Sequence, residues 1–154
     1  GKSTLLALAK EEFCRHVAVL PEAATILYSG GFPRTRDPEG IKAVQRAIWY
    51  VSHQLEDWAK TKDYAVILCD RGTLDGVAYW PDGEDDFYRD LSTTSRAEIE
   101  RYDLLVHLQT PAGKGYDLSN PSRNVPRTFG ETIRTDTSSR APTIFCKKYR
   151  PRSR

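Results

Sequence analysis

Methionine is absent from all 154 residues, and cysteine is sparse: Cys14, Cys69 and Cys146, with no C-x-x-C pair among them. Three unpatterned cysteines exclude a disulfide scaffold, argue against a zinc site and fit a reducing cytosol. No uncharged apolar run approaches the ~20 residues that cross a bilayer. No basic start followed by an apolar centre marks a secretory signal, so a cytoplasmic protein is expected. The three histidines (His16, His53, His107) stand apart and read as packed or surface residues rather than ligands. Repeats, a glycine period and sustained heptads are also missing, which removes collagen and coiled-coil classes. The lack of Met, with Gly1-Lys2-Ser3-Thr4 at the start, reads as a trimmed initiator or as an internal fragment.

What is present is ordinary for one globular domain: 39% hydrophobic and 29% charged residues, with a formal net charge of +2. That +2 is a sum of opposites. Residues 1–110 carry 13 Lys and Arg against 18 Asp and Glu, whereas residues 111–154 carry 10 against 3. The second stretch is also poor in apolar residues and rich in Pro, Ser, Thr and Arg, so loop or disorder is expected there. A basic tail can meet nucleic acid or acidic lipid. No aromatic platform accompanies the charge, so nucleic acid is not expected and lipid contact would be weak; a solvated tail is the plainer reading.

Periodicity places the elements of residues 1–110. Thr4–His16 reads as a helix with Leu5, Leu6, Leu8, Ala9 and Phe13 as its stripe. Val17–Leu20, stopped by Pro21, reads as a buried strand. Glu22–Tyr28 starts a short helix and Gly30–Pro38 is a turn-rich loop. Residues 39–60 form the clearest helix, with Ile41, Val44, Ile48, Val51, Leu55 and Trp58 at three- and four-residue steps. Ala65–Cys69 and Leu104–Leu108 are continuous apolar runs, read as strands buried on both faces. Gly72–Tyr79 and residues 84–101 supply short helices around an acidic loop, Asp82–Asp86, read as solvated. Strands alternating with helices predict an α/β sandwich around a parallel sheet.

Three segments carry chemistry. Gly1-Lys2-Ser3-Thr4 matches the end of the phosphate loop G-x-x-x-x-G-K-[ST]. Backbone N–H groups and the dipole at a helix start attract phosphate, Lys2 supplies a cation for the β- and γ-phosphates, and the Ser3 hydroxyl suits magnesium. Alone, these residues also fit a plain N-cap with Ser3 capping. Asp70-Arg71-Gly72 follows directly on Ala65–Cys69, and ligands of parallel α/β sheets bind beyond such strand ends. There a carboxylate can orient magnesium or take a hydroxyl proton, and an arginine can grip phosphate. The alternative is a structural Asp–Arg turn. Glu22 stands just past Val17–Leu20, on the same rim if the two strands are parallel; otherwise it is a first-turn acid favoured by the helix dipole. Asp75 reads as a surface or capping acid.

With Val17–Ala24, the Gln45-containing long helix, Ile67–Asp75 and Asp103–Thr110, these segments make residues 1–110 resemble a known family. It is that of the P-loop AAA-domain ATPases related to the ribosylnicotinamide kinase domain of NadR and to the TRPL-translocation-defect protein. The resemblance implies a three-layer P-loop NTPase sheet of the nucleoside- and nucleotide-kinase kind, and binding of ATP or GTP with Mg2+. It implies nucleotide-site roles for Gly1, Lys2, Ser3 and Thr4, magnesium contact by Ser3 and Asp70, and substrate or catalytic roles for Glu22, Asp70 and Arg71. The glycine-rich start of the loop and the first strand of such a fold are missing, so the sheet is expected to be incomplete at the N-terminus. The strands Ala65–Cys69 and Leu104–Leu108 would then lose a partner. Residues 111–154 read as the remnant of a lid region followed by the basic tail, with Arg123 or Arg127 as candidate lid arginines and no closing strand. Phosphoryl transfer to a small nucleoside-like acceptor is the leading expectation. A nucleotide-binding switch or adaptor without turnover, or an inactive fragment, are the alternatives.

Overall fold

The computed structural model describes residues 2–12, 16–107 and 143–148. Helix α1 (Lys2–Glu12) leads to strand β1 (Val17–Leu20), helix α2 (Ala23–Ser29) and the long helix α3 (Pro38–Lys60). Strand β2 (Val66–Cys69) runs into a 3-10 helix (Thr73–Tyr79), and two short helices follow, α4 (Glu84–Asp90) and α5 (Ser95–Ile99). Strand β3 (Leu104–His107) and strand β4 (Thr143–Lys148) complete the described elements.

The caps explain several boundaries. Asp37 precedes Pro38 at the start of α3, and its carboxylate accepts from the Gly40 N–H at 2.8 Å. Proline at the first helical position has no N–H to lose and a φ already set for the helix. Thr94 caps α5 by accepting from the Ala97 N–H at 3.1 Å. Gly83 enters α4 at φ +84°, a conformation that a residue with a Cβ rarely adopts.

The four strands form one sheet in the order β1-β2-β4-β3. β1 and β2 are parallel and in register from Val17 opposite Val66 to Leu20 opposite Cys69. β4 is antiparallel to both β2 and β3, with Cys146 opposite Leu68 and Leu104. Three strands thus share a direction and one opposes them, which corrects the expectation of an all-parallel sheet. It also corrects the expectation that the tail holds no closing strand. Thr143-Ile144-Phe145-Cys146 is a β-prone run that its Pro- and Arg-rich surroundings conceal. Nor are the facing edges of β2 and β3 left without a partner, because β4 lies between them.

One core cluster joins Ala18 and Leu20 of β1, Ile67 and Cys69 of β2, and Ala59 of α3. A second joins Val77, Trp80, Phe87 and Leu91 around the 3-10 helix and α4. In β2 the burial alternates rather than being complete on both faces. In β3, Leu104 and Leu105 are about half exposed, because β3 packs chiefly on β4. α1, Lys2–Glu12, buries Leu6 and leaves Leu5 and Leu8 exposed, while Phe13 of the expected stripe lies outside the described residues. α3 has the expected extent but a rotated face: Val44, Gln45, Glu56 and Ala59 are buried while Trp58 is exposed. Two polar residues sit inside because partners or close neighbours await them there. No helix among the described residues is long and apolar enough to cross a membrane.

Candidate functional site

The parallel pairing of β1 and β2 brings two strand ends to one rim. Beyond the last register pair, the Asp70 N–H donates to the Leu20 carbonyl at 3.2 Å, so the ladder extends one step and delivers Asp70 and Glu22 together. The side chains then part. Asp70 lines a cleft with Leu6, Ala7 and Lys10 of α1 and with Val19, Leu20 and Pro21. Its Oδ1 is buried. Glu22 instead faces Arg71, whose Nε donates to Glu22 Oε1 at 2.7 Å. The second Glu22 oxygen accepts from the Thr25 hydroxyl at 2.9 Å.

Arg71 closes the group by donating to Asp75 Oδ2 at 3.2 Å through its terminal nitrogen. Asp75 is therefore a partner of Arg71 and not the plain surface or capping acid expected from sequence. Burial works against the Arg71 charge, but Asp75, Tyr79 and Glu22 outweigh it and raise its pKa. Its backbone sits at φ +153°, where residues other than glycine are rare. Such a conformation persists only where its surroundings hold it, and it is commonest at functional loops.

The first turn of α1 carries Lys2, Ser3 and Thr4. Gly1 and the side chains of Lys2 and Ser3 lie outside the described residues, as do Arg123 and Arg127. Thr4 is exposed at this end of the helix. No group of three or more His, Cys, Asp or Glu side chains among the described residues forms a metal cage. Magnesium in nucleotide sites is held by few protein ligands plus phosphates and water. A buried carboxylate oxygen at a strand end beside α1 fits that donor set.

Behind the Asp70–Arg71 turn lies a buried polar network that sequence reasoning missed. Thr73 opens the 3-10 helix; its N–H donates to the Tyr102 hydroxyl at 2.8 Å, and its hydroxyl to Glu98 Oε2 at 2.5 Å. Glu98 also accepts from Thr93 at 2.7 Å and meets His53 Nε2 at 3.2 Å. Tyr102 donates to Glu56 at 2.7 Å, and Arg101 pairs with the same carboxylate at 2.8 Å. Both carboxylates are almost fully buried. Burial pushes the Glu98 pKa up, but hydrogen bonds from His53, Thr73 and Thr93 outweigh it and hold it at about 2. Burial and the Glu56 charge drive the Tyr102 pKa upward, so it keeps its proton.

The acidic loop is also partly corrected. Asp82 is exposed, as expected, but Asp86 is mostly buried and accepts from Lys42 and from the Trp80 indole, each at 2.8 Å. Arg46 grips Asp90 through two hydrogen bonds of 2.6 and 2.7 Å. These pairs clamp α4 onto α3.

Compared with known proteins, the chain matches an AAA domain family model over residues 1–142. No curated protein and no solved structure matches it. The match takes in Gly1-Lys2-Ser3-Thr4, the Glu22 and Asp70–Arg71 strand ends and strands β1, β2 and β3, and stops just short of β4. The chain belongs to the AAA domain family, and so to the nucleotide-binding P-loop NTPases with their α/β fold.

Proposed function

We propose that the protein binds ATP or GTP with magnesium at the start of α1 and transfers the terminal phosphoryl group to a hydroxyl of a small nucleoside-like acceptor. The observation that carries this reading is the in-register parallel pairing of β1 and β2, which sets Asp70, Arg71 and Glu22 on one rim beside α1. The divergence of the side chains supports a division of labour. Asp70, in the cleft against α1, is on the nucleotide side and with Ser3 would hold the metal. Magnesium there supplies charge neutralisation across the β- and γ-phosphates. Glu22, fixed by Arg71 and Thr25, is on the acceptor side.

In the transfer, the acceptor oxygen bonds to the γ-phosphorus as the bond to the β–γ bridging oxygen breaks, and the nucleoside diphosphate leaves. Glu22 takes the acceptor hydroxyl proton, with that hydroxyl replacing Thr25 on Oε2. Arg71 keeps Glu22 aimed, and Lys2 meets the charge developing on the phosphates. The nucleoside class of acceptor rests on the resemblance to the NadR kinase domain.

Two measurements test the reading. Acceptor-dependent release of ADP or GDP over a nucleoside panel is expected. Tight nucleotide binding with no such release would replace the kinase reading with that of a switch. Lys2→Ala is expected to weaken ATP binding by about 2–3 kcal/mol, as for a charge-assisted contact, with little effect on AMP. Equal losses for ATP and AMP in calorimetry would show that Lys2 does not reach the outer phosphates.

A further inference from the structure

The turn that parts Asp70 from Arg71 is anchored on both sides. On the near side the Asp70 N–H donates to the Leu20 carbonyl of β1 at 3.2 Å. On the far side the 3-10 helix begins at Thr73, and the first N–H groups of a helix have no partner within it. Gly72, at the cap position, has no side chain to offer them. A residue 29 positions away does so instead: the Thr73 N–H donates to the Tyr102 hydroxyl at 2.8 Å. Between the two anchors Arg71 sits at φ +153°, a backbone state that relaxes unless its flanks are fixed.

The Tyr102 hydroxyl is oriented for that contact. Its own proton goes to Glu56 at 2.7 Å, and Arg101 holds the same carboxylate at 2.8 Å, which leaves an oxygen lone pair for Thr73. Burial and the Glu56 charge keep the hydroxyl protonated. The ring packs on the core cluster of Ala18, Leu20, Ile67 and Cys69, so the hydroxyl is referenced to the same two strands whose ends form the rim. The Thr73 side chain is held separately, by Glu98 at 2.5 Å. Backbone and side chain of Thr73 therefore answer to different groups.

We propose that Tyr102 is a positioning residue for the rim: its hydroxyl, through the Thr73 N–H, holds the turn that sends Asp70 into the cleft against α1 and Arg71 toward Glu22. Groups behind a metal ligand set its direction, and their loss typically weakens metal affinity by about 10- to 100-fold. The inference rests on the proposed magnesium role of Asp70 only for its effect on nucleotide binding.

Tyr102→Phe and Thr93→Val test it. Each removes one hydroxyl from the same buried network: Tyr102→Phe the one on the Thr73 N–H, Thr93→Val the one on the other oxygen of Glu98. Both variants should melt lower. Only Tyr102→Phe should speed hydrogen exchange, by about tenfold relative to α3 amides, at the Asp70 and Asp75 N–H groups that close the turn on Leu20 and Gly72. Only Tyr102→Phe should weaken Mg-ATP binding in calorimetry, by about tenfold or more, with ATP binding in EDTA unchanged. Equal exchange in Tyr102→Phe and the wild type would overturn the proposal. So would faster exchange with an unchanged, magnesium-dependent ATP affinity. Equal losses in both variants would overturn it as well, because the network would then only stabilise the fold. A wild type without magnesium-dependent ATP binding would remove the metal role of Asp70, and the exchange rates would still uphold or overturn the hold of Tyr102 on the turn.

Discussion

Asp70 and Arg71 are neighbours in sequence with opposite tasks. The turn between β2 and the 3-10 helix sends Asp70 toward α1 and Arg71 toward Glu22 and Asp75. Asp70→Asn keeps shape and removes charge. It is expected to lower acceptor phosphorylation by roughly 10²-fold or more and to weaken magnesium-dependent nucleotide binding, because Asp70 would hold the metal. Unchanged turnover in the purified variant would return Asp70 to a structural turn. Glu98 makes a different prediction. Its pKa of about 2 lies below the 4.5 of an unperturbed glutamate, so its stabilisation is complete above pH 4.5 and is lost as pH falls toward 2. That loss is on the order of 3 kcal/mol. Glu98→Gln should melt lower at pH 7 and show a flatter acid limb in thermal scans from pH 7 to 2; parallel limbs would mean that another group drives the acid loss. The residue types of the rim were legible in the sequence, because a carboxylate directly after an apolar run is a local signal. The network behind them was not. His53, Thr73, Glu98 and Tyr102 meet across 25 to 45 residues, and no local pattern tells a glutamate which hydroxyl it will accept from.

Among the elements, α3 has the extent its stripe predicts; Val44 is buried and Leu55 packs on the core, but the buried face is turned from that stripe. Its stripe counted Trp58 as core, but the face that meets β1, β2 and the 3-10 helix is the one bearing Val44, Gln45, Glu56 and Ala59. Apolar spacing finds a helix; which polar residues it will bury depends on the neighbours. The α3–α4 clamp illustrates this. Lys42 sits between Asp82 and Asp86 at 2.5 and 2.8 Å, which raises the lysine pKa and lowers that of Asp86 to about 2. Asp86 also accepts from Trp80, a core residue only 1% exposed. Asp86→Ala removes the acceptor, and should lower the melting temperature and free the Trp80 indole to change its near-ultraviolet circular dichroism. An unchanged aromatic signal would mean that the ring is held by Phe87 packing alone. The sequence showed Asp82–Asp86 as a solvated run because the acids are contiguous, whereas α4 begins at Glu84 and turns them to different sides.

For the molecule as a whole, β4 decides the sheet. It pairs with β2 on one side and β3 on the other, and so joins β3 to the rest. Cys146→Pro removes an N–H from a strand flanked on both sides, where proline is not tolerated. The variant should melt several degrees lower and expose β3 to rapid hydrogen exchange. If its melting temperature and β3 protection match the wild type, β4 does not hold the sheet in solution. A strand arriving from the far end of the chain was not legible, since pairing across 75 or more residues leaves no trace in composition.

The length of α3 has a mechanical consequence. Its 23 residues make a rod of about 35 Å at 1.5 Å per residue. Lys42 and Arg46 pin its first half to the α4 region, while His53 and Glu56 pin its second half to the shell around Thr73 and Tyr102. A stiff rod fixed at two stations cannot tilt at one without displacing the other. A push on α4 is thus delivered to the base of the Asp70–Arg71 turn as a lever delivers load, about 20 Å away, without any residue between having to change its conformation.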